Sequence, residues 1–361
     1  MNHSTLIRAM TLAFAVAALA SAPGRASAQS ATIFGVLDVN LRSVTNGSAG
    51  RLRSESTDGL NTSRLGFSGL EDLGDGLKAS FWLEAQLSPD TGSIGDGTRT
   101  FNRRSTVSII DPTFGEVRLG RDKMPTYTAI ETYDAFGTNG LGEVIGNGTG
   151  TGIVSGLGSG ANTIKRADNQ VSYLLPASLG GAYGQFALAP GEGTAGNKQV
   201  SGRFGYATGP FNVSLSYAQT TVKADDKFKQ TVIGGFYDFG VVKAMVQFIQ
   251  TKYASVAGGP RRQNVYEIGA IVPVGSSEFH VGYVNGKMSG GAPLSGFADG
   301  DDANQVAATY LYKLSKRTAL YGTVAHLSNK GASKLILAAG APGMQGGQSS
   351  NGYEAGIRHS F

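Results

Sequence analysis

Side chains able to do bond chemistry are scarce in this sequence. There is no cysteine, which excludes thiolate metal sites, cysteine nucleophiles and a disulfide scaffold. Past the first segment the histidines are His280, His326 and His359, without metal-ligand spacing. No nucleophile has a local partner of the triad kind. The run GNGTGTGIVSGLGSG (Gly146–Gly160) contains Gly-x-Gly steps. A dinucleotide site also needs a preceding buried strand, a following helix and a later acid, and none is visible. DGDD (Asp299–Asp302) could hold a divalent cation but lacks the EF-hand ligand spacing. What does recur is arginine. Arg64 lies in SRLGF, Arg103 and Arg104 in RRSTVSI, and Arg166 in KRADNQVSY. A guanidinium stays charged at every relevant pH. Its chemistry is attraction, a fixed positive charge that steers and holds anions.

Alternating residues flank these arginines, which is the period of a strand. If Leu65 and Phe67 share one face, Arg64 is on the other. Val107 and Ile109 put Arg104 opposite them and Arg103 on their own side. Val171 and Tyr173 likewise set Arg166 on the opposite face. The same pattern runs from TIFGVLDVNLRS (Thr32–Ser43) to the closing GYEAGIRHSF, whose polar face holds Glu354 and Arg358. Sixteen such segments are found, most near ten residues long. Short Gly- or Pro-containing turns, such as Gly74-Asp75-Gly76 and Gly209-Pro210, separate some of them. Long polar segments, at 44–58, 88–100, 122–164, 288–301 and 329–349, separate others. Antiparallel hairpins then put the turns at one end of a sheet and the long loops at the other.

Bulk properties narrow the architecture. The chain of 361 residues carries a formal charge of +5, with no block of five like charges, so nucleic acid is not an expected partner. Glycine, at 54 residues, is roughly twice its average usage of about 7%. Residues 1–28 have a basic start at Arg8, a short apolar run AMTLAFAVAALA and a small-residue end Ala26-Ser27-Ala28. This is the pattern of a secretory signal peptide, which leaves 29–361 as the folded domain. Strands of 9–11 residues cross a bilayer when tilted. That length, with turns and loops sorted to opposite ends, favours a membrane barrel over a soluble sandwich. The outside of a wide barrel must be apolar and its inside is water, so Arg64, Arg104 and Arg166 are expected in the lumen.

The segments FGVLDVNL, TSRLGFSGLEDLGDGLKASFWLE, RRSTVSI, FGEVRLGR, LSKRTALYG and GIRHSF together resemble the general diffusion porins of Gram-negative outer membranes, betaproteobacterial branch. The resemblance covers essentially the whole chain after residue 28. It implies a sixteen-stranded antiparallel transmembrane barrel with short periplasmic turns and long extracellular loops. It also implies a homotrimer and a third loop, here 122–164, folded into the pore. A loop that long is expected to be functional. By the same resemblance Arg64, Arg104, Arg121 and Arg166 match a basic ladder on the barrel wall. Arg121 has outward parity but lies where its strand meets the loop. An acidic stretch before a Phe-Gly pair faces that ladder in the family. Here Glu131 and Asp134 are the candidate acids, with Ala135 beside Asp134 where relatives carry a second acid. The terminal aromatic, Phe361, would be read by the barrel-assembly machinery.

The expected function is an outer-membrane porin, a passive channel for ions and small hydrophilic solutes with a mild anion preference. It needs no cofactor and does no catalysis. Outer-membrane lipid and lipopolysaccharide are its expected surroundings. The alternative is a substrate-specific channel for small anions such as organic acids or phosphate. An exported β-rich enzyme would need a catalytic constellation that the sequence lacks.

Overall fold

The computed structural model describes residues 30–361 except 147–150, 224–225, 256–258, 293–294 and 339. The expected signal peptide, 1–28, lies outside the described residues. Sixteen strands form the wall, in chain order. They are β1 (Ser30–Asn46), β2 (Arg64–Gly74), β3 (Leu77–Ser88), β4 (Arg104–Asp111), β5 (Gly115–Lys123) and β6 (Arg166–Leu174). Then come β7 (Ala182–Ala189), β8 (Lys198–Thr208), β9 (Phe211–Thr221), β10 (Lys227–Asp238) and β11 (Lys243–Ser255). The rest are β12 (Gly259–Val274), β13 (Ser277–Gly290), β14 (Ala303–Lys313), β15 (Thr318–Asn329) and β16 (Ser349–Ser360). Each pairs antiparallel with its neighbours in sequence. The first half of β1 pairs with β2, from Ser30↔Leu70 to Val36↔Arg64. Its second half pairs with β16, from Val36↔Ser360 to Asn46↔Ser350. The barrel therefore closes, and no sheet edge is left to face lipid.

The wall is inverted relative to a soluble protein. In β8, outward Val200 and Phe204 are 45% and 57% exposed, while inward Ser201 and Arg203 are 5% and 8% exposed. Apolar residues outside and polar residues inside are what a strand between lipid and water requires. Outward aromatics gather beside the turns. Tyr173, Tyr206, Phe211, Tyr237, Phe239, Phe279, Tyr310 and Tyr312 are all exposed there. Such rings mark the level of a membrane interface.

Two features differ from the sequence reading. The segment 44–58 is not a plain loop, because Arg51–Ser56 folds back as a strand on the end of β1. The loop end is also less uniform than expected, since β9 and β10 are joined there by only residues 222–226. Hydrophobic periodicity ends with the bilayer, so it carries no information on hairpins that extend beyond it.

The main buried apolar cluster lies inside the barrel. The loop between β5 and β6 enters the lumen and begins with the helix α1 (Pro125–Tyr133). Proline at the first helical turn costs no hydrogen bond and presets the backbone. Ile130, Tyr133, Leu141, Val144 and Ile153 from this loop pack with wall residues such as Val232, Ile249 and Val265. Inward glycines make room for it. A Cβ on Gly282 would lie 2.7 Å from the ring of Phe136.

Candidate functional site in the barrel lumen

Glutamines hang the loop on the wall. Gln247 Nε2 donates to the Ile130 carbonyl at 3.2 Å, and Gln263 Nε2 to that of Ile153 at 2.8 Å. Gln305 Nε2 donates to the carbonyls of Gly142 and Glu143 at 3.0 and 3.1 Å. His280 Nδ1 lies 2.8 Å from the Ala135 carbonyl. Farther round, Leu141 N–H donates to Glu354 and Thr62 N–H to Asn139. The loop thus follows the lumen wall from β7 round to β16 and leaves its opening beside β2–β6.

That opening is a cavity of about 720 Å³. Eight Lys and Arg side chains line it against five Asp and Glu. Arg64 and Arg104 are among the liners, as the strand parity of the sequence requires. Arg166 joins them, although a register slip separates it from Val171 and Tyr173, whose parity therefore does not fix its side. Arg103 is there too, although parity set it outside. It precedes the first residue of β4, so the alternation does not bind it. Arg118 and Arg358 also line the cavity. Parity would have found both, since Val117, Leu119 and Ile357 are exposed outside.

The acids of this wall are shared among more cations than they can neutralise. Glu84 pairs with Arg103 at 2.5 Å and with Arg64 at 3.9 Å. Asp122 pairs with Arg118 at 2.7 Å and with Arg104 at 3.7 Å. Arg104 also stacks over the Trp82 ring, 4.9 Å from its centroid. Arg166 has no carboxylate within ion-pair distance among the described residues. Its Nε donates to the Arg103 carbonyl at 2.9 Å, and its guanidinium lies over Tyr127 at 5.7 Å. Arg358 donates to Asn61 Oδ1 at 3.1 Å.

Arg121 is placed differently. The pairing of β5 with β6 slips between Gly120 and Asp122, and Arg121 sits in the slip. Its guanidinium bonds the Asn102 carbonyl and Asp168 Oδ1, each at 2.6 Å, and is not among the cavity liners.

The two loop acids also behave differently. Glu131 lines the cavity and pairs with Lys123 Nζ at 2.5 Å. Asp134 borders the same cavity but turns its carboxylate into the loop. Oδ1 accepts the Phe136 N–H at 2.8 Å, and Oδ2 those of Thr138 at 2.9 Å and Val144 at 3.3 Å. Burial pushes the Asp134 carboxyl above its ordinary range. Its geometry serves the fold of the loop tip, whereas Glu131 presents charge to the opening. The aspartates of DGDD are likewise spent on backbone, with Asp301 accepting from Ala298 and Ala332 N–H.

A closed barrel that is apolar outside, polar inside and narrowed by an inserted loop is a membrane channel. The profile of the Gram-negative porins matches residues 15–332 of this chain. The chain is 41% identical over 359 residues to outer membrane porin protein 32 of Delftia acidovorans, covering 95% of itself and 98% of that protein. The solved structure of an anion-selective porin from Comamonas acidovorans aligns with a TM-score of 0.80 at 38% identity. That alignment covers 92% of this chain and 100% of the other. A trimer form of OmpT from Vibrio cholerae, 16% identical with a TM-score of 0.67, shares the fold over 93% of this chain and 100% of its own. The chain belongs to the Gram-negative porin family and is a porin of the outer membrane.

Proposed function

We propose that the lumen is a passive diffusion path that prefers small anions, with Arg64, Arg104 and Arg166 setting that preference and Glu131 facing them from the loop. The excess of cations over acids at the cavity carries this reading. A low-dielectric wall focuses the field of such a group onto passing ions. The anion selectivity of the Comamonas porin supports it. Arg121 and Asp134 act at one remove, the first by tying β5 to its neighbours and the second by shaping the loop tip.

The surroundings belong to the same proposal. Residues 1–28 direct export and are removed, the loops face the cell exterior, and the turns face the periplasm. Three copies assemble, as in the trimer form of OmpT. Outer-leaflet lipid and lipopolysaccharide surround the wall. Barrel-assembly machinery reads the strand ending at Phe361, whose backbone pairs with Gly35 beside the turns. Diffusion requires no bond to be made or broken, so the lumen works as a channel and not as a catalyst.

Planar-bilayer recording under a chloride gradient tests the proposal. It should show ohmic conductance that does not saturate with salt and a reversal potential of anionic sign. A cationic sign refutes the arginine assignment. Conductance that saturates at low concentrations of an organic acid or phosphate would favour a specific anion site over general diffusion.

A further inference from the structure

The outer face of β10–β12 changes character row by row. Cross-strand partners define the rows. Ile233, Phe248 and Tyr266 lie opposite one another, with Phe248 and Tyr266 ring centroids 5.1 Å apart. The next outward row toward the loops is Thr231, Gln250 and Asn264, with a Gln250–Asn264 hydrogen bond of 2.7 Å. The row above it is Lys229, Lys252 and Arg262. Lys287, on β13, stands diagonal to Arg262 because it pairs with Asn264. All four cations are exposed, and none has an ion-pair partner among the described residues. Like charges directly opposite each other destabilise a sheet. Three adjacent strands nevertheless set cations in one row. Lys227, Lys229, Lys252 and Arg262 line a shallow cleft of about 620 Å³, with Asp299 at its rim. Asp299 accepts the Gly290 N–H.

We propose that this row is a binding site for the phosphate groups of an anionic lipid in the outer leaflet. The inference rests on the barrel spanning the outer membrane with its loops outward. Depth supports a lipid over any other anion. Four residues separate the cation row from the aromatic row, about 13 Å at 3.3 Å per residue. A lipid whose acyl chains lie along Ile233, Phe248 and Tyr266 would set its headgroup phosphates at the cations. A second copy of the same face is disfavoured, because it would bring cations against cations.

The test is native mass spectrometry of the full chain, purified as the assembled barrel, titrated with diphosphorylated lipid A. The comparison is with the variant Lys229→Gln, Lys252→Gln, Arg262→Gln. Each cation near a membrane surface contributes enough that losing three should weaken binding by roughly a hundredfold. Dephosphorylated lipid A should bind the unmodified protein as weakly as diphosphorylated lipid A binds the variant. Arg51→Gln with Arg53→Gln, on exposed arginines of the first loop, should change affinity little. The proposal fails if the triple variant retains its affinity, or if the Arg51/Arg53 control loses as much. It also fails if inorganic phosphate alone competes at the same concentration. Should the triple variant not fold, Lys252→Gln alone decides, with an expected loss of about fivefold. Conductance and reversal potential of the triple variant should equal those of the unmodified channel. Absence of a channel would overturn the diffusion reading, whereas the lipid titration would still decide this site.

Discussion

The lumen has two walls made in opposite ways. Strands β2–β6 present charge, with Arg104 packed on Trp82, Arg166 on Tyr127, and Arg166 bonded to the Arg103 carbonyl. Strands β10–β14 meet the loop mainly with glutamine and glycine, which accept a polypeptide at close range. The one acid buried beneath it among the described residues of these strands, Glu267, is bonded by Gln247 Nε2 at 2.7 Å. One wall is left open to solution and the other is covered. Charge survives on the open wall because water and passing ions can solvate it. On the covered wall a bare charge would be buried under the loop, and a buried unpaired charge is costly. An amide can satisfy a carbonyl without carrying that penalty. The loop therefore sides with the neutral wall, and the opening is left beside the cationic one.

Removing the cationic character should break this comparison most severely. Arg64→Gln, Arg104→Gln and Arg166→Gln combined should move the reversal potential in a chloride gradient most of the way to zero, with conductance retained. The shift should be larger at 0.01 M salt than at 0.1 M, because the Debye length falls from about 30 Å to about 10 Å between them. An unmoved reversal potential would separate selectivity from this wall.

On the covered wall, Gly282→Val should displace the loop tip, since even a Cβ would meet the Phe136 ring. Single-channel recordings should show a changed conductance with added flicker, and the anion preference should be weaker but of the same sign. Gln247→Leu, Gln263→Leu and Gln305→Leu together should act in the same direction more gently. Each lost hydrogen bond contributes about 0.5–1.5 kcal/mol. Limited proteolysis within 139–163 would report the loosening. Resistance equal to the unmodified protein would mean that apolar packing alone holds the loop.

The smallest effect is a titration. Burial holds the Glu143 carboxyl well above its ordinary value of 4.5. It also lowers neighbouring Lys165, to about 8. Folding then favours the protonated acid, so its presence costs stability as pH rises from the unfolded value through the folded one. Glu143→Gln should raise the unfolding temperature at pH 8, and the gap should shrink as pH falls toward 4.5. A gap that widens on acidification would reverse the assignment.

Strand positions were legible because every strand separates lipid from water, and that contrast is written at period two. Arg64 and Arg104 followed from it, and Arg118 was equally readable from Val117 and Leu119. Arg103 and Arg121 were not, because one precedes its strand and the other sits in a register slip. The helix α1 left a trace in Pro125 and in the spacing of Tyr127, Ile130 and Tyr133. Its seat left none, since Gln247, Gln263 and Gln305 resemble any inward polar residue until their loop partners are placed. Asp134 and Glu131 look alike in sequence. Only the backbone N–H groups converging on Asp134 distinguish them.

The division of β1 between two neighbours has a consequence in time. Its second half waits for β16, and across that seam Arg42 reaches Glu354, 312 positions away, at 2.7 Å. Joining ends so far apart costs about 5 kcal/mol of chain entropy from the length-dependent part alone. No partial ring recovers that cost, because one edge of the second half of β1 keeps its hydrogen-bonding groups bare until the final strand docks, although Arg51–Ser56 covers the other edge. The ring is therefore completed last, and an incomplete copy carries a sticky margin that other chains can capture. The interval between insertion of the first hairpin and arrival of β16 is when this protein is most exposed to aggregation. A seam-weakened variant such as Glu354→Ala should lengthen that interval while leaving the finished wall nearly the same.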